Sequence, residues 1–263
     1  MLMSAATLRM AITTAVLCGA VGLAQDAHVG NLTGSAHRGK ELYSRYCVLC
    51  HGERGDGAGV HAPYIDPKPR DFTRATFKCR STPSGSLPTD SDLYDSITRG
   101  FHGTAMPSWN PLTRQERVDL VAYVKTFSSR FTEEKPDPAL VIPPEQPTSP
   151  ESVQRGAALF QSLNCWSCHG KEGRGNGPSA KTLTDSKGDP IVPYDLTSGS
   201  QFKCGASDRE LYRDLMTGLD GTPMPSFVDA AKPDQLWDLV HFIQTLRTGK
   251  GQPAQAKAEP PQQ

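Results

Sequence analysis

An excess of charge of one sign is missing from this sequence. Its 263 residues carry 28 basic and 28 acidic side chains, so there is no basic footprint for nucleic acid. Long apolar runs are scarce too. The single candidate, from Met10 to about Ala24, falls short of the roughly 20 residues a membrane span needs. Aromatic residues make up only 7% and hydrophobic residues 37%, which is thin for two well-filled cores of about a hundred residues each. Something other than side chains is expected to fill part of the interior. Alternating strand patterns are also lacking, which leaves a mainly helical protein.

The opening "MLMSAATLRMAITTAVLCGAVGLAQDAHVG" has one basic residue, Arg9, then the short apolar run, then Gly22 and Ala24 at small-residue positions. This reads as a signal peptide, residues 1–24, cleaved after Ala24, which implies a periplasmic protein. Membrane anchoring is the other reading, by an uncleaved leader or by lipidation at Cys18, although Leu17 is large for a lipoprotein site. Without Cys18 six cysteines remain: Cys47, Cys50, Cys79, Cys165, Cys168 and Cys204. In an oxidising compartment thiols tend to be paired or otherwise used.

The chain is one pattern written twice. "GKELYSRYCVLCHG" (39–52) is answered by "GAALFQSLNCWSCHG" (156–170), and "PRDFTRATFKC" (69–79) by "PYDLTSGSQFKC" (193–204). "GTAMPSW" (103–109) is answered by "GTPMPSF" (221–227). Thr89 with Asp92 and Ser207 with Glu210 predict capping boxes for short helices ending near Gly100 and Gly218. Two amphipathic patterns, 117–127 and 235–246, predict a closing helix in each half. The repeat unit is too long for a solenoid, so two domains are expected, 34–131 and 151–249. The proline-rich stretch 132–150 reads as a semi-extended linker. Residues 250–263 carry too little apolar surface to pack, and are expected to be a disordered tail.

C-x-x-C-H is the attachment signature of c-type haem, and it occurs twice. Cys47 and Cys50, and likewise Cys165 and Cys168, are expected to bond one haem each, with His51 and His169 as proximal iron ligands. A redox dithiol would want a βαβ context, and a zinc site would want further ligands at matching spacing; neither is present. The second axial ligands are expected to be Met106 and Met224, since each follows its histidine by 55 residues. His61, His102 and Met216 have no counterpart in the other half.

On these motifs the sequence resembles small class I c-type cytochrome domains, duplicated as in periplasmic dihaem cytochromes c. The stretch "PRDFT…FKCRSTPSGSLPTDSDLY…GTAMPSW" is similar to domains that serve bacterial respiratory chains. The resemblance implies an all-α fold in which the first and last helices of each domain cross. Gly39 and Gly156 would allow that crossing, with Tyr123 and Phe242 packing there. It also implies two covalently bound haem c groups.

Three matters stay open at this point. Arg54 and Arg174 follow each haem motif and are candidates for haem propionates, or are solvent-exposed loop charges. Cys79 and Cys204, each after Phe-Lys, are favoured as a disulfide because equivalent positions of duplicated domains face each other near a pseudo-twofold axis. Free buried thiols and thiolate ligation are the alternatives. The expected function is a one-electron carrier with redox protein partners, a membrane respiratory complex being one candidate, and no small-molecule substrate. A dihaem enzyme of peroxidase or thiosulfate-oxidising type, and a tethered subunit of a respiratory complex, are the other readings.

Overall fold

The computed structural model describes residues 26–199 and 201–249, so the expected signal peptide at 1–24 and the expected tail at 250–263 lie outside the described residues. The first half contains β1 His28–Val29, β2 Leu32–Thr33, α1 Ala36–Tyr46, α2 Val48–His51, α3 Asp90–Arg99, α4 Arg114–Lys125 and α5 Arg130–Glu133. The second contains α6 Pro150–Ser162, α7 Trp166–His169, α8 Asp208–Thr217 and α9 Pro233–Arg247. Both expected capping boxes are formed, Thr89 with Asp92 on α3 and Ser207 with Glu210 on α8. Gly100 and Gly218 close those helices.

In each half the first helix crosses the last, α1 on α4 and α6 on α9. Glycine is required at the crossings. A Cβ on Gly39 would fall on the Asp119 carbonyl oxygen, and one on Gly156 on that of Asp238. The side chains of the same two aspartates are pinned from the opposite helix. Arg38 forks onto Asp119 at 2.7 and 2.9 Å, and Arg155 onto Asp238 at 2.7 and 2.8 Å. Burial pushes the Asp119 carboxyl up, but the hydrogen bonds from Arg38, Ser35 and Gln115 outweigh it and hold the group below its ordinary value. The second half has one more residue between this glycine and the first cysteine. Asn164 absorbs it in a left-handed conformation, φ 61°, which asparagine tolerates better than most side chains.

One expectation changes. The β1–β2 hairpin was not anticipated, because two-residue strands carry no alternation. It is tied down by fully buried Ala27 and by Val29, which join the first core, so the first half begins to pack before residue 34. The linker is extended but not free. Leu140 donates its N–H to the Ser81 carbonyl, and Leu140 and Ile142 pack against the second core.

The halves meet through a disulfide between Cys79 and Cys204, whose Cα atoms are 5.3 Å apart. Beside it Arg80 is fully buried. Its guanidinium donates to the Thr217 carbonyl at 2.6 Å and pairs with Asp220 at 2.9 Å. Asp220 also accepts from Ser84 Oγ and the Gly85 N–H. Arg99 reaches Glu210 at 3.2 Å, and Arg74 donates to the Ser186 carbonyl.

Candidate cofactor sites

Each C-x-x-C-H ends a one-turn helix, α2 or α7, and the chain then folds back beneath it. The N–H of Gly57 bonds the His51 carbonyl and that of Gly59 the Cys50 carbonyl. Gly175 and Gly177 repeat this with His169 and Cys168. A Cβ on Gly59 or Gly177 would collide with the backbone of the motif itself, so the return loop is held flat against it. The loop ends as Phe72, or Leu196, donates its N–H to Gly55, or Gly173.

That return positions a carbonyl for each histidine. His51 Nδ1 lies 3.0 Å from the Arg70 carbonyl and His169 Nδ1 3.1 Å from that of Tyr194. A carbonyl only accepts, so Nδ1 carries the proton and Nε2 keeps its lone pair. Burial pushes both imidazoles below their ordinary value, which keeps them neutral and able to ligate.

His51 and Met106 line one cavity of about 160 Å³, walled by Phe72, Phe77, Leu93, Ile97, Trp109 and Val124. His169 and Met224 line a second of about 350 Å³, walled by Phe160, Leu183, Phe202, Leu215, Phe227 and Ile243. The methionine loops are braced alike. Phe101 and Leu219 donate their N–H to the carbonyls of Met106 and Met224. Thr104 and Thr222 each turn a hydroxyl to accept the methionine N–H while donating to the start of the loop.

The residues fit a c-type haem. Cys50 lines the first cavity, and Cys165 and Cys168 the second. All four motif cysteines are unbridged. Burial pushes the Cys47 thiol up to about 12, with Cys50 adding to it, and burial pushes Cys165 up to about 11. Such thiols are poor exchange nucleophiles, unlike those of a redox dithiol. Apolar cavities, each with a neutral imidazole, a thioether and at least one motif cysteine, also account for the thin side-chain core.

Other candidates lie elsewhere. His61 and His102 are exposed, and Met216 is buried in the core on α8; none lines either cavity. Arg54 and Arg174 are exposed as well and reach neither cavity. Arg54 instead pairs with Asp56 at 2.9 Å. The reason is the turn: Gly55 and Gly175 adopt φ 66° and 73°, so the loops reverse and leave both arginines outside. The cations at the cavities are Lys78 and Lys203, which line both, and Lys68 and Arg70, which line the first. Sequence reasoning passed over them, although the repeated Phe-Lys-Cys was the signal for Lys78 and Lys203.

The family model of cytochrome c matches residues 153–247, and that of cytochrome c oxidase, cbb3-type, subunit III, matches residues 34–124. A chain of the Kuenenia stuttgartiensis reducing HAO-like protein complex is 41% identical with a TM-score of 0.79, covering 81% of this chain and 96% of that one. The cytochrome bc1 complex cytochrome c subunit of Corynebacterium efficiens is 26% identical over 227 residues, 80% of this chain and 62% of that protein. The cbb3-type cytochrome c oxidase subunit CcoP of Helicobacter pylori is 28% identical over 88 residues, 32% of this chain and 30% of that protein. The chain therefore spans less than two thirds of the length of either curated relative.

Proposed function

The chain belongs to the c-type cytochromes, as a protein of two cytochrome c domains with covalently bound haem c, and from that premise we propose that it is a one-electron carrier between redox protein partners. When bound, haem supplies a reversible one-electron iron couple. The chain's own residues would anchor it through Cys47, Cys50, Cys165 and Cys168. His51 with Met106, and His169 with Met224, would ligate the two irons. The apolar walls keep water away.

The observation that carries this reading is the matched donor set. Both cavities offer a neutral imidazole and a thioether from a loop with the same internal bonds, so neither site reserves an iron position for substrate. The experiment is an optical spectrum of the reduced holoprotein before and after carbon monoxide. Neither haem is expected to bind it. Prompt binding at one haem would overturn the carrier reading and favour catalysis at that iron.

A subunit role is the second reading. The relatives are named as a bc1 complex subunit, an oxidase subunit and a chain of a reducing HAO-like protein complex, and among the described residues no helix is long and apolar enough to cross a membrane. As a subunit the chain would dock on, or be tethered to, a larger assembly. Native mass of the protein purified from its own cells tests this; a free monomer there would sink it. The disulfide fits function in an oxidising compartment outside the cytoplasm.

A further inference from the structure

The two lysines beside the disulfide are shared between the cavities. Lys78 comes from the first half and Lys203 from the second, yet each lines both cavities. The disulfide enforces this, because it holds positions 79 and 204 at a Cα separation of 5.3 Å and so brings their neighbours together. Arg70 lines the first cavity with them. Among the described residues, none of these three side chains has a hydrogen bond or ion pair; of the carboxylates near enough to Arg70 to be felt, Asp185, Asp71 and Asp220, the last two are paired with Arg74 and Arg80.

Three half-buried cations held together are unfavourable unless anions join them. Burial, then Arg70, then Lys203 push the Lys78 ammonium down to about 7, against a weaker pull from Asp185. Burial also pushes Lys203 down, with Asp66 opposing it. An anion that enters both cavities with the cofactor resolves the conflict, and haem carries carboxylates of its own.

We infer that Lys78 and Lys203 form a crossed clasp for the haem propionates, each lysine serving both cavities, with Arg70 reinforcing the first. The inference rests on the two-haem reading and deepens it. The clasp ties the charge of each haem pocket to both halves, so the two irons feel the same cations.

The test uses the holoprotein and its Lys78→Gln, Lys203→Gln and Lys78→Arg variants. Haem content per chain is measured first; fewer than two haems in the unaltered protein sinks the two-haem reading itself. Both midpoint potentials are then followed by optical redox titration. A cation near iron favours the reduced state, so Lys78→Gln should shift both components toward the oxidised form. The expected size is about tenfold in the oxidised-to-reduced ratio, 59 mV for a one-electron couple. Lys78→Arg should restore most of the shift. Movement of one component alone, or of neither beyond an exposed-lysine control such as Lys181→Gln, overturns the crossed clasp. If the variants do not fold, amine labelling of the unaltered holoprotein decides. Lys78 and Lys203 should resist acetylation while Lys181 reacts, and prompt labelling of the two clasp lysines overturns the inference.

Discussion

The two halves share the parts that would grip a cofactor and, apart from the matched cysteines that bridge them, differ where they touch each other. The crossing glycine, the pinned aspartate, the histidine-to-carbonyl bond and the threonine-braced methionine loop all occur in both. The segments between motifs do not match. From histidine to lone cysteine there are 28 residues in the first half and 35 in the second, and the deficit is made up before the methionine. The first half's longer segment follows Cys79 and contains Arg80, Ser84 and Gly85, which hold Asp220. The second half's precedes Cys204 and contains Ser186 and Lys187, which meet Arg74 and Asp56. Each copy has lengthened on the side where it meets the other. The cofactor grip stayed symmetrical while the seam became complementary.

The largest effect should come from breaking the seam. Replacing Cys79 and Cys204 by serine opens a loop of 125 residues, for which the chain-entropy model gives about 4 kcal/mol or more. Chemical denaturation should then show two transitions where the bridged protein shows one. A single transition at unchanged midpoint would mean the seam holds without the bond. Next in size are Gly39→Ala and Gly156→Ala. In an ordinary helix this change stabilises by about 1 kcal/mol. Here the new Cβ meets backbone, so each should cost about 3 kcal/mol, and the same in both halves. Unequal losses in thermal melts would break the equivalence of the two crossings.

Arg80 sharpens the contrast, because its counterpart is Gly205. Arg80→Met removes a buried guanidinium that serves Thr217, Pro83, Phe77 and Asp220. About 2 kcal/mol should be lost, the scale of a hydrogen bond to a charged group. The reciprocal Gly205→Arg should be worse tolerated, since even a Cβ there would run into the Glu210 carboxylate. Equal tolerance of both changes, read from denaturant midpoints, would argue that the seam is not specific.

Most of the site was legible because its parts are local. Cys47, Cys50 and His51 lie within one turn, and the capping pairs Thr89–Asp92 and Ser207–Glu210 are three residues apart. Met106 and Met224 were singled out by comparing the copies, which substitutes for an alignment, and each lines the cavity of its histidine. What escaped reading depends on direction or on docking. Arg54 and Arg174 stand close to the haem motifs in sequence, but the left-handed glycines that follow turn them outward. Lys78 and Lys203 gain their meaning only once the two halves are joined, since each reaches a cavity of the other half. The hairpin at 28–33 escaped because its stability comes from burial of Ala27 against the first core, which no periodicity in so short a segment records.

The smallest expected effect separates the two cavities themselves. Phe72 lies flat against His51, ring centroids 4.4 Å apart and 20° from parallel; the matched position in the second half is Leu196. Together with Tyr46 and Trp109, where the second half has Leu163 and Phe227, Phe72 contributes to the smaller size of the first cavity. Phe72→Leu should therefore cost about 1 kcal/mol, the range of a conservative core exchange, and loosen the His51 ring. Leu196→Phe should cost less, because the second cavity is roomier. The reduced optical spectrum gives a second reading. If the stacked ring steadies the imidazole, Phe72→Leu broadens the bands of the first haem alone, and Leu196→Phe makes the second resemble the first. Unchanged spectra in both variants would show that the His51 and His169 orientations are fixed by the carbonyls of Arg70 and Tyr194, and that the aromatic difference concerns packing only.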